Sequence, residues 1–144
     1  MKFNENSFFL LRNDEIQQAT NKSYRQYFCG NLQRPQLLNY LQTEDFEIGV
    51  SDYFEFTADE PHFHKITPDM IYILRGEYHI MLLNENPSPI ILKEGDFVSI
   101  PAGVAYASKA KAGTKTLFIK QTKEYDKVAV TPSSEVVQWM NKKI

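Results

Sequence analysis

An all-β fold, a sandwich or a barrel, is what this sequence predicts, and three observations carry the prediction. Short runs rich in Val, Ile, Tyr, Phe and Thr follow one another from Phe46 to Thr122, at the spacing of about 8–12 residues expected of such folds. Glycine and proline stand between the runs, as at Pro68, Gly76, Gly95, Pro101 and Gly103, where tight turns need them. Aromatic residues make up 13% of the chain, with ten Phe and eight Tyr, a composition that suits pleated, half-buried surfaces.

The 144 residues are the usual size of one domain with a sizeable core. No linker-like stretch divides them, so residues 1–144 read as a single domain. Sixteen basic and eighteen acidic residues give a net charge of −2, which draws the chain to neither nucleic acid nor an anionic membrane. Lys109, Lys111 and Lys115 read as a solvated turn rather than a phosphate site. The single cysteine, Cys29, excludes an intramolecular disulfide and fits a reducing compartment. No charged neighbour is there to depress its pKa, so it reads as buried or idle. Phe8-Phe9-Leu10-Leu11 is too short for a signal sequence or a membrane span. A cytoplasmic location is the expectation.

In chain order, Asn13-Asp14-Glu15-Ile16 opens a short turn or strand, and Tyr24–Cys29 reads as a strand closed by Gly30. Leu37, Leu38 and Leu41 suit a helical turn or an extended edge equally well. These leading residues, 1–47, read as an extension that adds edge strands or crosses to a second subunit. Strands are then expected at 46–56, broken by Asp52, and at 62–66, 70–74 and 77–83. A loop over residues 84–89 follows, then strands at 90–92, 97–100, 104–108 and 116–122. Gly103 is free to take a positive φ in the turn before the 104–108 strand. Pro132-Ser133-Ser134-Glu135 has a serine cap and an acid in the first turn, so a helix is expected over 133–143. Val136, Val137, Met140 and Ile144 recur at helical spacing there. The helix either closes one end of the barrel or binds a partner.

Chemistry concentrates between Pro61 and Gly76. His62 and His64 sit one residue apart, so on a strand both imidazoles face the same side. Asp69 is returned towards them by a turn at Thr67-Pro68. Two imidazoles and a carboxylate are a donor set for a transition-metal ion. Glu60 rims the pocket if the strand begins before Pro61. His79 reads as a residue supporting the site or filling the core.

The pattern His62, His64, four residues, Asp69, six residues, Gly76 resembles the first motif of the cupin superfamily. Gly95, five residues, Pro101, Ala102, Gly103 resembles the second. The resemblance covers roughly residues 48–122 and implies a cupin-type jelly-roll β-barrel with a short C-terminal α-helix. Two departures fall on the family's metal ligands. Asp69 stands in place of Glu, and Tyr106 in place of the third histidine. Asp is shorter by about 1.5 Å, roughly one carbon–carbon bond, so the turn must bring it closer. A phenol of reference pKa about 10 is a poor anionic ligand at neutral pH. Tyr106 therefore serves as a hydrogen-bond donor or general acid to a substrate, or is a barrel aromatic with a backbone partner.

The resemblance implies a divalent metal (Fe, Zn, Mn or Ni) held by His62, His64 and Asp69, a small-molecule ligand and a homodimer. It also implies three functions. One is an isomerase or epimerase acting on a sugar or keto acid, with His62, His64 and Tyr106 as catalytic groups. Another is a non-catalytic sensor module similar to those of AraC-type regulators, acting for a separate partner. The third is a non-haem metal dioxygenase, whose facial triad the two histidines and the acid would form.

Overall fold

A computed structural model gives the structure of residues 1–83, 88–121 and 125–144. Twelve strands and two helices follow in order: β1 (Lys2–Asn4), α1 (Asn13–Lys22), β2 (Arg25–Gly30), β3 (Tyr40–Gln42), β4 (Glu47–Tyr53), β5 (Thr57–His64) and β6 (Asp69–Arg75), then β7 (Glu77–Leu82), β8 (Pro89–Lys93), β9 (Phe97–Ile100), β10 (Tyr106–Ala110), β11 (Thr114–Lys120), β12 (Lys127–Ala129) and α2 (Ser134–Asn141). They form two facing sheets, a seven-stranded one in the order β1-β3-β2-β4-β11-β6-β9 and a five-stranded one in the order β12-β5-β10-β7-β8. This is a jelly-roll barrel, antiparallel except where β3 pairs with β1 and β2.

The inner faces follow from strand alternation. Tyr53, Ile71, Ile73, Tyr78, Ile80, Leu92 and Ile100 meet between the sheets in one buried cluster. Gly76 makes the β6–β7 hairpin possible. Its φ is +92°, and a Cβ there would lie 2.6 Å from the backbone Cα of Thr114, so no other residue fits without displacing β11.

The N-terminal residues depart from expectation. Asn13–Lys22 is a ten-residue helix, not a turn or strand. Glu15 accepts the Arg12 backbone N–H at 3.3 Å, Asp14 and Glu15 suit the positive end of the helix dipole, and Lys22 suits the negative end. The helix lays Ala19 and Thr20, 7% and 0% exposed, against the outer side of β2 and β4. With so few apolar positions among polar ones, its period is faint. The short strand β12 was likewise not anticipated, whereas β1 lies at the edge of the seven-stranded sheet, within the residues expected to add edge strands.

Two charged residues occupy unexpected places. Asp52 does not break a strand; it lies inside β4, fully buried. Arg75 Nη2 at 3.0 Å and Gln17 Nε2 at 3.3 Å satisfy its carboxylate, which offsets the cost of burying the charge. Lys109 is not in a solvated turn but in β10, 4% exposed. Its ammonium donates to the carbonyls of Trp139 and Lys142 at 2.7 and 2.9 Å and lies 4.3 Å from the Trp139 ring centre. It thereby caps the C-terminal end of α2. At the other end Ser133 Oγ accepts the Val136 N–H, as the sequence predicts. Val136, Trp139 and Met140 pack against Met81 and Ala107, so α2 covers the outer face of β7 and β10. The expected loop at residues 84–87 and the strand end at Thr122 lie outside the described residues.

Candidate metal centre

Strand β5 carries both histidines, with side chains turned into the barrel and residues 6% and 8% exposed. Their ring centres are 5.1 Å apart and the rings nearly perpendicular. The pairing of β5 with β10 slips between them and the strand's start: Tyr106 lies opposite His62, yet Ser108 lies opposite Asp59. The extra residue is a bulge at Glu60-Pro61, a position where proline is tolerated because no ladder N–H is missed. Glu60 is exposed, and its backbone carbonyl rather than its carboxylate serves the site. It accepts the His62 Nδ1–H at 3.0 Å. A carbonyl only accepts, so the proton is on Nδ1 and the Nε2 lone pair is free. Burial pulls the His62 pKa down and keeps the ring neutral, against the smaller pull of that hydrogen bond.

His64 is held by a residue far along the chain. Its Nδ1 bonds Asp126 Oδ1 at 2.9 Å, and its Nε2 stands 3.4 Å from Asp69 Oδ2. Burial favours the neutral ring, but the bonds to Asp69 and Asp126 outweigh it and raise the pKa. The Asp126 carboxyl side chain is fully buried. Against that desolvation, Lys120, His64 and the Ile66 N–H hold it far below the usual carboxylate range. Asp126 Oδ2 also accepts the backbone N–H groups of Ile66 and Thr67, each at 3.1 Å. These two residues form the turn that returns the chain from His64 to Asp69. The shorter side chain of Asp69 thus reaches the histidines because the turn is drawn tight.

Asp69 opens β6, and the Tyr106 hydroxyl donates to its Oδ2. Burial disfavours the Asp69 anion, but the hydrogen bonds from His64 and Tyr106 prevail and lower its pKa. The Tyr106 pKa goes the other way, pushed well above 10 by burial and by the neighbouring Asp69 charge. Tyr106 is thus a protonated phenol beside a carboxylate. Its ring is 4.7 Å from that of His62, centre to centre.

His62, His64 and Asp69 each offer one donor atom, and the three atoms lie within 4.8 Å of one another. Donors at about 2.1 Å from a common ion stand roughly 3–4 Å apart, so a contraction of about 1–2 Å at most closes the set. The donor chemistry fits as well. Each imidazole has its Nδ1 engaged by an acceptor, which fixes ring and tautomer, as in metal sites generally. His79 lies elsewhere. It sits on the outer face of β7 and bonds Glu77 Oε2 at 2.9 Å. Asp126 was not foreseen, because nothing in its local sequence marks it; only the fold brings it under His64.

A family model described as a cupin domain matches residues 43–119. Comparison with curated proteins gave no match in sequence. Among solved structures, KdgF from Halomonas sp. is similar with a TM-score of 0.53 at 14% identity, covering 69% of this chain and 78% of its own. Oxalate decarboxylase from Bacillus subtilis gives 0.52 at 16% identity, over 66% of this chain and 28% of its own; that protein has been described with Mn(II) centres. The coconut allergen cocosin gives 0.52 at 14% identity, over 65% and 28%. The chain therefore spans little more than a quarter of the last two, and these likenesses speak to fold alone. Among the described residues, no helix is long and apolar enough to cross a membrane.

The raised His64 pKa has a measurable consequence in metal-free protein. A group whose pKa is higher folded than unfolded adds stability below its unfolded value, about 6.5, and that stability is lost as pH rises through the folded value. Urea midpoints of the metal-free protein should fall from about pH 6.5 upwards. Asp126→Asn should lower stability by about 3 kcal/mol at pH 6, the cost of breaking a buried charged pair, and flatten that slope. A slope unchanged by the substitution would mean that Asp126 does not set the charge of His64.

Proposed function

The chain belongs to the cupin family, and from that premise we propose that it is a metal-assisted isomerase or epimerase of a small polar metabolite, a sugar or keto acid. The observation that supports it most is the grouping of two imidazoles, each tied through Nδ1, with the Asp69 carboxylate: His62 Nε2 is free, and His64 Nε2, 3.4 Å from Asp69 Oδ2, would give up its proton to take an ion. His62, His64 and Asp69 would hold a divalent ion; Fe, Zn, Mn and Ni all accept such nitrogen and oxygen donors. Mn has the added support of the centres described in oxalate decarboxylase. When bound, the ion would polarise a carbonyl oxygen and so acidify the neighbouring C–H.

The chain's own groups supply the rest. The two imidazoles fix the position of the reacting end, and Asp69 holds the Tyr106 hydroxyl in one orientation. Tyr106 remains protonated at neutral pH and would donate a hydrogen bond to the substrate oxygen on which charge develops. Burial of His62, His64 and Tyr106 keeps bulk water away from the exchanged proton.

A homodimer belongs to the same reading. The outer faces of β6 and β9 carry Tyr72, Leu74 and Phe97, 38%, 39% and 56% exposed, with Tyr72 opposite Phe97 across the strands. A contiguous apolar patch of this kind is usually covered, and a second copy presenting the same face would cover it.

Purified protein should retain about one divalent ion per chain by elemental analysis, and the His62→Ala/His64→Ala protein should retain none. Equal metal content in the two would place any ion elsewhere. Tyr106→Phe should keep the metal and lose roughly 10²- to 10⁴-fold in turnover. A sensor module would instead lose about 0.5–1.5 kcal/mol of ligand affinity, one hydrogen bond, with no turnover to lose. Sedimentation should give a species of twice 16.7 kDa at micromolar concentration, and a species at the chain mass would rule the dimer out.

A further inference from the structure

Among the described residues, one cation inside the barrel has no carboxylate bonded to it; Asp59 reaches it only through its longer-range field. Arg25 on β2 lies opposite Ser51 on β4, and Ser51 shares its strand face with Tyr53 of the inner cluster. The Arg25 side chain is therefore on the inner face, half-buried. Its Nε donates to Ser51 Oγ at 3.0 Å and its Nη2 to the Tyr53 hydroxyl at 3.4 Å. The guanidinium carbon is 5.1 Å from the Tyr24 ring centre and 5.8 Å from that of Phe118. All four partners are neutral. The other inner-face cation, Lys120, is paired with Asp126 at 2.9 Å, and Arg75 outside is paired with Asp52. Among the described residues no carboxylate lies within ion-pair distance of Arg25.

A guanidinium has five N–H donors in a planar fork, and only two of these have acceptors among the described residues. Nη1 has no such acceptor and is not fully buried, since among the described residues no buried side-chain nitrogen or oxygen lacks a partner; its two N–H groups are left to solvent or a ligand. The position is also apt. Phe118, against which Arg25 lies, is the inner-face neighbour of Lys120 on β11, and Lys120 is paired across the strands with Asp69. By register Arg25 stands in the row of Ser51, Thr116 and Ile73, four residues along from Asp69 on β6, and its guanidinium leans over Phe118, one inner position from Lys120 and Asp69.

We propose that Arg25 is the anion anchor of the barrel, so that the metabolite taken by this site carries a carboxylate: a sugar acid or keto acid, not a neutral sugar. The inference rests on reading the site as one that binds a metabolite. The chemistry is that of the fork: two parallel N–H groups match the two oxygens of a carboxylate, and the flanking rings and hydroxyls keep the fork in one plane. The ring faces of Tyr24 and Phe118 stabilise the cation without neutralising it, which leaves its charge for the ligand.

The test is calorimetric titration of the full chain with paired probes, glucuronate against glucose and gluconate against sorbitol. Wild type should bind the acid of at least one pair at least tenfold more tightly than its neutral counterpart. Arg25→Gln should weaken acid binding by about tenfold to a hundredfold, the usual worth of charge-assisted bonds, and leave neutral-probe binding and metal content unchanged. Arg25→Lys keeps the charge and should recover only part of the affinity, which also guards against a Gln variant that folds poorly. Wild type that favours no acid over its counterpart, or an Arg25→Gln protein that binds acids as wild type does, overturns the proposal. A wild type that holds no metal yet discriminates through Arg25 would sink the metal-assisted isomerase and leave the anchor standing.

Discussion

The geometry of the candidate centre depends on one buried charge, the carboxylate of Asp126. It is shut off from solvent, and it persists as an anion because four donors converge on it. His64 Nδ1 and Lys120 Nζ bond one oxygen, and the Ile66 and Thr67 backbone N–H groups bond the other. An isolated carboxylate would cost several kcal/mol to bury; with both oxygens satisfied the cost is offset. The division of labour between the oxygens matters. One orients an imidazole, the other draws tight the turn that delivers Asp69. Remove the charge and both halves of the donor set lose their alignment at once.

This dependence marks where sequence reasoning reaches and where it stops. The strands around His62, His64 and Asp69 were legible because their signals are local: alternation fixes the face of each histidine, and the glycines at 76, 95 and 103 adopt positive φ, as tight turns between strands require. Asp126 gave no local signal. Its role arises from a contact across 62 positions, and it lies beyond the residues matched by the family model. Arg25, on the other side of that span, is hidden in the same way. Asp52 and Lys109 misled for a related reason. A charge in a strand-like run suggests a break or a surface, unless its partner is known, and their partners are Arg75 and the end of α2. The helix at Asn13–Lys22 was missed because Ala19 and Thr20 are too small to print a clear stripe.

The two departures from the family pattern turn out to be one arrangement. A phenol in place of a third imidazole removes a neutral donor from the set, and Asp69 is the residue that phenol bonds. Tyr106 stays protonated because the adjacent carboxylate repels a phenolate, and Asp69 stays ionised because Tyr106 and His64 donate to it. Each substitution therefore supports the protonation state of the other. With Glu at 69 the carboxylate would project further and compete with the phenol for the same space. The shorter acid leaves room for it.

Across the barrel the interior divides by chemistry as well as by position. Tyr53, Ile71, Ile73, Tyr78 and Ile80 form an apolar floor that the Tyr106 ring joins, while His62, His64 and Asp69 group around the Tyr106 ring and hydroxyl. Register enforces the separation: on β6 the inner positions run from Asp69 to Ile71 to Ile73, and on β11 from Lys120 to Phe118 to Thr116. Among the described residues no buried side-chain nitrogen or oxygen is left without a partner. A ligand entering such a barrel meets fixed dipoles rather than adaptable water, and it is selected by where its own charges fall against theirs. On that ground the fork of Arg25, which no carboxylate bonds among the described residues, would bear on substrate choice more than Lys120, which Asp126 already pairs.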